Sequence, residues 1–274
     1  MDTIVIRETK IMQNFTIYGN PVIHSKSPQM HNAGFRHIHL DANYSKTLIE
    51  NEKELKENFT KHHIKGANIT VPHKEIAFKE ADEVKGLAKK IGAVNTYINE
   101  DGKVIAYNTD APGFIKAIEE FGKIKHALIL GAGGTAKAIA VAFHEAGIKT
   151  TVLNRSKNRL EFFRDLDCDV FSWDDFICED YDLVINSTSA GLKDNDLPAP
   201  LEILEDILYT SNYAMDCIYG KMTPFLQKAE ERGLTFKDGE DMLLYQGVLA
   251  FELFTGVKAD KDLVESMRQG LKES

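Results

Sequence analysis

A chain of 274 residues can bury a full hydrophobic core and is long enough for two modest domains. Its 33 basic and 42 acidic residues give a formal net charge of −9, which argues against a nucleic-acid or membrane-surface partner. No apolar run approaches the ~20 residues that span a bilayer, and the charged, alternating N-terminus is unlike a signal peptide. Cys168, Cys178 and Cys217 have no metal-binding or redox spacing, so we expect free thiols in a reducing cytoplasm.

The first half of the chain alternates short apolar strands with helices. Strands are predicted at residues 15–18, 42–48 and 66–71, and a hairpin joins 94–98 to 104–107 across an Asp-Gly turn. Helices are predicted to begin at Pro28 and Pro72 and to cover residues 52–59, 84–90 and 111–121. Ser27, with Pro28 after it, is expected to cap the first helix. This alternation predicts an α/β domain.

Residues 127–156 predict a βαβ unit built around a glycine-rich turn. An apolar strand over 127–130 ends at the turn GAGGTA, which comprises Gly131, Ala132, Gly133, Gly134, Thr135 and Ala136. Apolar residues then recur at helical spacing until Gly147, which suits a left-handed helix cap, and a strand follows over 150–153. Glycines between a strand and a helix let the backbone approach a pyrophosphate. The pattern therefore favours a dinucleotide site over a purely structural turn.

The residues after the second strand of this unit indicate which dinucleotide binds. An NAD site usually has an acidic residue there, which accepts from the ribose 2′-hydroxyl. This chain has Asn154, Arg155 and Ser156 instead, followed by Lys157 and Arg159. Guanidinium groups suit a 2′-phosphate, so we expect NADP as the cofactor; the alternative is a solvated basic loop.

Beyond residue 156 the strand–helix alternation continues and then ends in helices. Helices are predicted at 160–166 and 223–232, strands at 182–186, 213–216 and 234–236, and a polar loop at 187–191. Residues 242–254 and 261–271 predict terminal helices that pack back on the first domain. The predicted fold class is α/β: a substrate-binding domain over residues 1–110 and 239–274, and a Rossmann-type, doubly wound NADP-binding domain over 111–238.

Several polar side chains lie near the ends of predicted strands of the first domain, where ligands bind in such sheets. They are Ser25, Ser27, Thr70, Lys74, Asn95 and Asp110. Hydroxyls, an amide, a cation and an anion suit a small polyhydroxylated acid. Apart from Lys74, each is also explained as a helix cap or a turn residue. The paired histidines at 37 and 39 and at 62 and 63 do not share a face, so no metal site is expected.

Taken together, these stretches resemble the shikimate dehydrogenase family over nearly the whole chain. The matching segments are YGNP from Tyr18, SKSP from Ser25, GANITVPHK from Gly66, GAVNT from Gly92, NTD from Asn108, GAGGTA from Gly131, NRS from Asn154, NSTSAG from Asn186, TPF from Thr223, DG from Asp238, MLLYQ from Met242 and AFELFTG from Ala250. The chain departs from the family pattern at His73, where an aromatic or apolar residue is frequent, at residues 111–113, and at Cys217, where methionine is common.

The resemblance implies reversible, NADPH-dependent reduction of 3-dehydroshikimate to shikimate, in the shikimate pathway of aromatic amino acid (chorismate) biosynthesis. It implies that Lys74 and Asp110 are the catalytic pair. By the same resemblance, Ser25 and Ser27 hold the substrate carboxylate, and the ring hydroxyls are bound by Thr70, Asn95, Asp110 and Gln246, with Tyr219 nearby. The implied NADP-binding residues are Gly131, Gly133, Gly134, Asn154, Arg155, Ser156 and Arg159, with Thr188, Cys217 and Gly239 at the nicotinamide end.

Two rival functions stay open. One is a quinate/shikimate dehydrogenase that also accepts NAD, against which the arginines after the second strand argue. The other is a non-catalytic NADP-sensing module, against which the retention of both Lys74 and Asp110 argues. We expect a small-molecule substrate as the partner, and a monomer or a homodimer.

Overall fold

The structure is a computed structural model that describes residues 12–273, so the expectation about the extreme N-terminus lies outside the described residues. The chain divides into two compact units. The first unit contains the residues up to Val84, Val94–Ala106 and those from Ala250 onward, and the second contains Lys85–Ala93 and Tyr107–Leu249. Within residues 12–273, no helix combines the length and apolar character needed to cross a bilayer.

Strands and helices alternate along most of the described chain. The strands are β1 (Gln13–Gly19), β2 (Ala42–Leu48), β3 (Gly66–Ile69), β4 (Glu83–Val84), β5 (Thr96–Glu100), β6 (Lys103–Tyr107), β7 (His126–Leu130), β8 (Lys149–Leu153), β9 (Asp169–Phe171), β10 (Tyr181–Asn186), β11 (Ser211–Asp216) and β12 (Thr235–Lys237). The α-helices are α1 (Ser27–His37), α2 (Leu55–Lys61), α3 (Lys74–Glu80), α4 (Ala88–Ile91), α5 (Asp110–Ile118), α6 (Gly134–Ala146), α7 (Glu161–Arg164), α8 (Leu201–Tyr209), α9 (Pro224–Glu231), α10 (Glu240–Thr255) and α11 (Lys261–Lys272). Short 3-10 helices cover Glu52–Glu54, Glu119–Phe121 and Lys157–Arg159.

The first unit is built on a mixed sheet with the strand order β2-β1-β3-β5-β6-β4. β1 is parallel to β2 and β3, whereas β5 is antiparallel to β3. Because β1 lies inside the sheet, its residues from Phe15 to Gly19 are buried on both faces. α11 packs on α1, where a Cβ on Gly270 would lie 2.7 Å from the Gln29 carbonyl oxygen. The expectation that the terminal helices pack back on the first domain is confirmed for α11 and for the end of α10 from Ala250 onward, whereas Glu240–Leu249 of α10 belongs to the second unit.

The second unit is built on a parallel sheet with the order β12-β11-β10-β7-β8-β9. The chain forms one side from β7 to β9 and the other from β10 to β12, so the strand order reverses between β7 and β10. On α6, Ile139 and Phe143 belong to one buried cluster with Ile129 of β7 and Val152 of β8. Gly147 ends α6 with a φ of 68°. This is the doubly wound Rossmann arrangement, which confirms the predicted fold class.

The local predictions were wrong at a few places. The helix expected over 84–90 is β4 followed by α4, because Gly86, with a φ of 61°, interrupts it. Ser27 does not cap α1; it is the first helical residue, and Ser25 Oγ accepts its N–H at 3.2 Å. Two elements, β9 and α8, were not predicted at all.

Candidate active site

The glycine-rich turn lies at the carboxyl end of β7, beside the point where the strand order reverses. Gly131 has a φ of 105°, and a Cβ there would lie 2.8 Å from Thr188 Cγ2, so only glycine fits. By contrast, a Cβ on Gly133 or Gly134 would meet no atom within 4 Å. α6 begins without a side-chain cap, so its first N–H groups remain for an external acceptor. The turn therefore offers the open backbone cradle that a pyrophosphate needs.

The loop after β8 carries the basic residues expected to meet a 2′-phosphate. Asn154 closes this loop by donating from Nδ2 to a backbone carbonyl two residues on, at 2.8 Å. Lys157 forms an ion pair with Asp175 at 2.9 Å, so its charge is already partnered. Arg155 and Arg159 are exposed, and neither forms an ion pair with another residue of the described range 12–273. Two unpaired guanidinium groups after the second Rossmann strand fit NADP.

A buried polar network joins the carboxyl ends of β10 and β11. Asn186 Nδ2 donates to Asp216 Oδ2 at 3.0 Å, and both residues are fully buried. Asn186 Oδ1 accepts from the Thr188 N–H at 3.0 Å and from the Thr188 hydroxyl at 2.7 Å. The Cys217 N–H donates to the Asn186 carbonyl oxygen at 2.9 Å. The loops that carry Thr188 and Cys217 are thus both tied to Asn186, the first through its side chain and the second through its backbone carbonyl.

Gly239 lies against the backbone that follows β11. A Cβ on Gly239 would overlap the carbonyl group of Cys217, and the Gly239 N–H donates to the Ile218 carbonyl oxygen at 3.0 Å. In the same segment, burial raises the pKa of the Tyr219 hydroxyl. Tyr219 is therefore a neutral hydrogen-bonding group at physiological pH.

In the first unit, Ser25 and Ser27 follow β1. Ser25 is partly exposed, whereas Ser27 is only 2% exposed. Because the Ser25 oxygen accepts from the Ser27 backbone, the Ser25 hydroxyl hydrogen remains to donate to an anion. A hydroxyl donor is therefore available at Ser25, where the sequence predicts a contact with the substrate carboxylate.

Thr70, His73 and Lys74 occupy the turn between β3 and α3. The Thr70 N–H donates to a carbonyl at the end of β1, at 2.9 Å. His73 is buried, and its Nε2 donates to the Ile49 carbonyl oxygen at 3.0 Å, so this departure from the family pattern has a structural partner. Lys74 is the first residue of α3, and its carbonyl accepts the Val94 N–H at 3.0 Å. Its side chain is partly exposed.

A chain of buried hydrogen bonds leads to Asn95. The Tyr44 hydroxyl donates to Asn68 Oδ1 at 2.7 Å, and Asn68 Nδ2 donates to Thr96 Oγ1 at 3.2 Å. Thr96 Oγ1 in turn donates to Asn95 Oδ1 at 2.9 Å. The Asn95 carbonyl accepts the Ile69 N–H at 2.8 Å, which holds the residue beside the end of β3. The amide orientation of Asn95 is therefore set by its neighbours.

Asp110 lies in the first turn of α5 and is 8% exposed. Asn108 Oδ1 accepts the N–H groups of Asp110 and Ala111 at 3.0 and 3.3 Å, and its Nδ2 donates to the Ala93 carbonyl at 3.1 Å. Asn108, not Thr109, therefore supplies the side-chain cap of this helix. The buried cap fixes the start of the helix that carries the carboxylate.

The predicted site residues divide between the two units. The first unit holds Ser25, Ser27, Thr70, Lys74 and Asn95. The second unit holds Asp110, Gly131, Ala132, Gly133, Gly134, Thr135, Asn154, Arg155, Ser156, Arg159, Thr188, Cys217, Tyr219, Gly239 and Gln246. The sequence analysis missed the supporting side chains Asn68, Thr96, Asn186 and Asp216. A polar residue at or near the end of an apolar strand was the available signal.

Comparison with known proteins shows which family this chain is similar to. Residues 17–97 match the family model of the shikimate dehydrogenase substrate binding domain, and residues 239–269 match that of the shikimate 5′-dehydrogenase C-terminal domain. A shikimate dehydrogenase (NADP(+)) of Helicobacter hepaticus is 46% identical over 93% of this chain and 95% of its own.

Solved structures agree with these matches. A shikimate 5-dehydrogenase of Thermus thermophilus, crystallised with NADP(H) and shikimate, is 32% identical with a TM-score of 0.85, covering 95% of this chain and 99% of its own. A Listeria monocytogenes shikimate 5-dehydrogenase, crystallised with shikimate and NAD, is 29% identical with a TM-score of 0.82, covering 94% of this chain and 97% of its own.

A Rossmann sheet with a basic loop after its second strand, joined to an α/β unit rich in hydroxyl and amide groups, defines an NADP-dependent oxidoreductase. Identity of 46% over nearly all of both chains then assigns the family. The chain belongs to the shikimate dehydrogenase family.

Proposed function

We propose that this chain catalyses the reversible reduction of 3-dehydroshikimate to shikimate with NADPH. The observation that carries the proposal is the group of donors around the ends of β1 and β3 and the start of β5. It comprises Ser25, Ser27, Thr70, Lys74 and Asn95. Shikimate presents one carboxylate and several ring hydroxyls, and this set matches them in chemical type. The reaction belongs to the shikimate pathway of aromatic amino acid biosynthesis.

The cofactor is held by the second unit in this proposal, and it supplies the hydride. The backbone of Gly131–Thr135 receives the pyrophosphate, and Arg155 and Arg159 receive the 2′-phosphate, with Asn154 and Ser156 shaping the same loop. Thr188, Cys217 and Gly239 line the nicotinamide end. The open space around Gly133 and Gly134 and the unpaired arginines support this assignment.

Lys74 and Asp110 manage the proton. As the ketone is reduced, the forming alkoxide needs a proton, and the Lys74 ammonium stabilises that oxygen and supplies it. In the oxidation direction, neutral Lys74 accepts the proton. Asp110 is the second member of this proton-transfer pair.

The remaining polar groups bind and orient the substrate. Ser25 and Ser27 donate to the carboxylate, while Thr70, Asn95 and Gln246 hydrogen-bond the ring hydroxyls, with Tyr219 nearby. These contacts fix the ketone against the hydride donor, which is the positioning contribution expected of such sites.

The proposal also includes the domain boundaries, the location in the cell and the oligomeric state. The substrate domain comprises residues 1–110 and 239–274, and the NADP domain comprises 111–238. Cys168, Cys178 and Cys217 form no disulfide within residues 12–273, which supports a reducing, cytoplasmic location. The working form is a monomer or a homodimer.

One assay tests the proposal: NADPH oxidation with 3-dehydroshikimate, repeated with NADH and with 3-dehydroquinate. We expect turnover with NADPH and 3-dehydroshikimate and little with the other combinations. Comparable rates with NADH and 3-dehydroquinate would favour the quinate/shikimate rival. Binding of NADPH without turnover of either substrate would favour the sensing module.

A further inference from the structure

Asp216 is a buried carboxylate that the proposed chemistry does not use. It is 0% exposed and accepts from Thr223 Oγ1 at 2.6 Å, from Asn186 Nδ2 at 3.0 Å and from the Ile218 N–H at 2.9 Å. An amide nitrogen and a backbone N–H only donate, and the Thr223 oxygen itself accepts the Leu226 N–H at 3.3 Å. Three donors therefore converge on the Asp216 carboxyl group. Burial raises the pKa of Asp216, and its hydrogen bonds oppose that rise.

The carboxylate determines which way the Asn186 amide points. Since Nδ2 must face Asp216, Oδ1 faces the loop after β10, where it accepts both donors of Thr188. Thr188 Oγ1 then accepts the Ala190 N–H at 3.1 Å. The methyl group of Thr188 also lies against Gly131 of the glycine-rich turn. Asp216 thus controls the position of Thr188 through one intermediate side chain.

The same carboxylate shapes the segment after β11. Its Oδ1 holds the Ile218 N–H, and Asn186 holds the Cys217 N–H through its carbonyl oxygen. The Cys217 carbonyl is in turn packed against Gly239. Two loops and the start of α10 therefore converge on one buried pair.

We propose that Asp216 is a positioning residue for the nicotinamide half of NADP, acting through Asn186 on Thr188 and through the backbone on Cys217. The inference rests on the proposed function in assigning Thr188, Cys217 and Gly239 to that half. Arg155 and Arg159, which serve the adenosine half, lie after β8 and have no hydrogen bond to Asp216 among the described residues.

The test compares two ligands on the Asp216→Asn variant. Asparagine keeps the shape of the side chain but places an NH₂ group opposite at least one donor. The Asn186 amide then rotates to present its oxygen to that NH₂ group, and Thr188 loses the acceptor Oδ1. Calorimetry measures the Kd of NADP⁺ and of adenosine 2′,5′-bisphosphate, which lacks the nicotinamide half. We expect NADP⁺ binding to weaken about tenfold or more, with bisphosphate binding changed less than about twofold.

Two further variants sharpen the test. Asp182→Asn makes the same exchange at the other end of β10, where Asp182 Oδ2 accepts two backbone N–H groups at 2.7 and 3.1 Å. It should leave binding of both ligands unchanged. The double exchange Asp216→Asn with Asn186→Asp again places a carboxylate opposite an amide. The carboxylate is now at position 186, where it can still accept from Thr188. It should recover most of the lost NADP⁺ affinity.

Different results would overturn the positioning role and the proposed function. Unchanged NADP⁺ binding in Asp216→Asn, or equal weakening of both ligands, would overturn the positioning role. Failure of both Asp216 variants to fold would also overturn it, by assigning the carboxylate to folding. A wild-type protein that binds neither NADP⁺ nor the bisphosphate would overturn the proposed function as well.

Discussion

Gly113 on α5 lies directly against the backbone of Gln246 on α10. A Cβ on Gly113 would lie 2.6 Å from the Gln246 nitrogen and 2.8 Å from its Cα. Asp110 precedes Gly113 by one helical turn on α5. The contact therefore fixes how the helix that carries the proposed catalytic carboxylate approaches the helix that carries Gln246.

Gly113→Ala should destabilise the protein and weaken substrate binding. Because the obstructing atoms are backbone, a helix must shift, at a cost of about 1–3 kcal/mol. Urea unfolding and the shikimate KM report the two effects. Lys116→Ala, on the exposed part of the same helix, is the control and should change neither. Wild-type stability in Gly113→Ala would show that the helices separate without cost.

Much of the fold could be predicted from local patterns, because they match the final environment. The apolar run at 127–130, the helical spacing of α6 and the cap at Gly147 all agree with the Rossmann unit. β9 has only three residues at a sheet edge, so no alternation could reveal it. α8 does bury Leu204, Ile207 and Leu208 at helical spacing, so its signal was present in the sequence.

Replacing Arg155 and Arg159 together with alanine should remove the preference for NADPH. Two charge-assisted contacts at ~1.5–3 kcal/mol each correspond to a KM increase for NADPH of about 100-fold or more, with the KM for NADH nearly unchanged. Arg164→Ala, an exposed arginine of α7, is the control. Equal losses for both cofactors would mean that the arginines support the fold.

Thr96→Val should weaken shikimate binding without affecting NADPH. Valine keeps the shape but removes the hydroxyl that donates to Asn95 Oδ1 and accepts from Asn68 Nδ2. Losing these two hydrogen bonds costs about 1–3 kcal/mol. Part of this cost lowers the stability of the fold, and part weakens substrate binding because the Asn95 amide is no longer held by Thr96. The shikimate KM should therefore rise about tenfold. Thr47→Val, which breaks the hydroxyl pair with Thr16 in the same sheet, is the control and should leave the KM unchanged. A wild-type KM in Thr96→Val would refute the orienting role.

His31 should make the protein less stable in mild acid. Burial against the stacked ring of Tyr44 lowers the pKa of His31 to about 3. The unfolded chain binds a proton below its ordinary pKa of ~6.5 while the folded state does not, so stability falls as pH drops from ~6.5 toward 3. Urea unfolding at about pH 7 and about pH 5.5 should show a loss of up to ~1.4 kcal/mol per pH unit from this group. His31→Phe should lose that part of the pH dependence, and an unaltered dependence would exclude His31 as its source.

The site was less predictable than the fold, because its supporting contacts depend on strand register. Asn186 and Asp216 are 30 residues apart and meet only because β10 and β11 pair in that register. Asn68 likewise reaches Thr96 across the β3–β5 pairing. Single residues such as Ser27 were ambiguous between cap and ligand, and the structure removes the capping role.

Lys74 is expected to carry most of the chemical step. Lys74→Met keeps most of the side-chain stem and removes the charge and the proton. We expect the turnover number to fall by ~10²–10⁴-fold, the range of a positioned acid–base group, with shikimate still bound in calorimetry. Loss of shikimate binding with the turnover number retained would assign Lys74 to binding instead.

The most direct test of the central claim is the turnover number of the double variant Lys74→Met with Asp110→Asn, beside the two single variants. If the residues act as one proton-transfer unit, the double variant should be about as impaired as the worse single variant. A loss equal to the product of the two single losses would contradict the account, because Lys74 and Asp110 would then contribute independently.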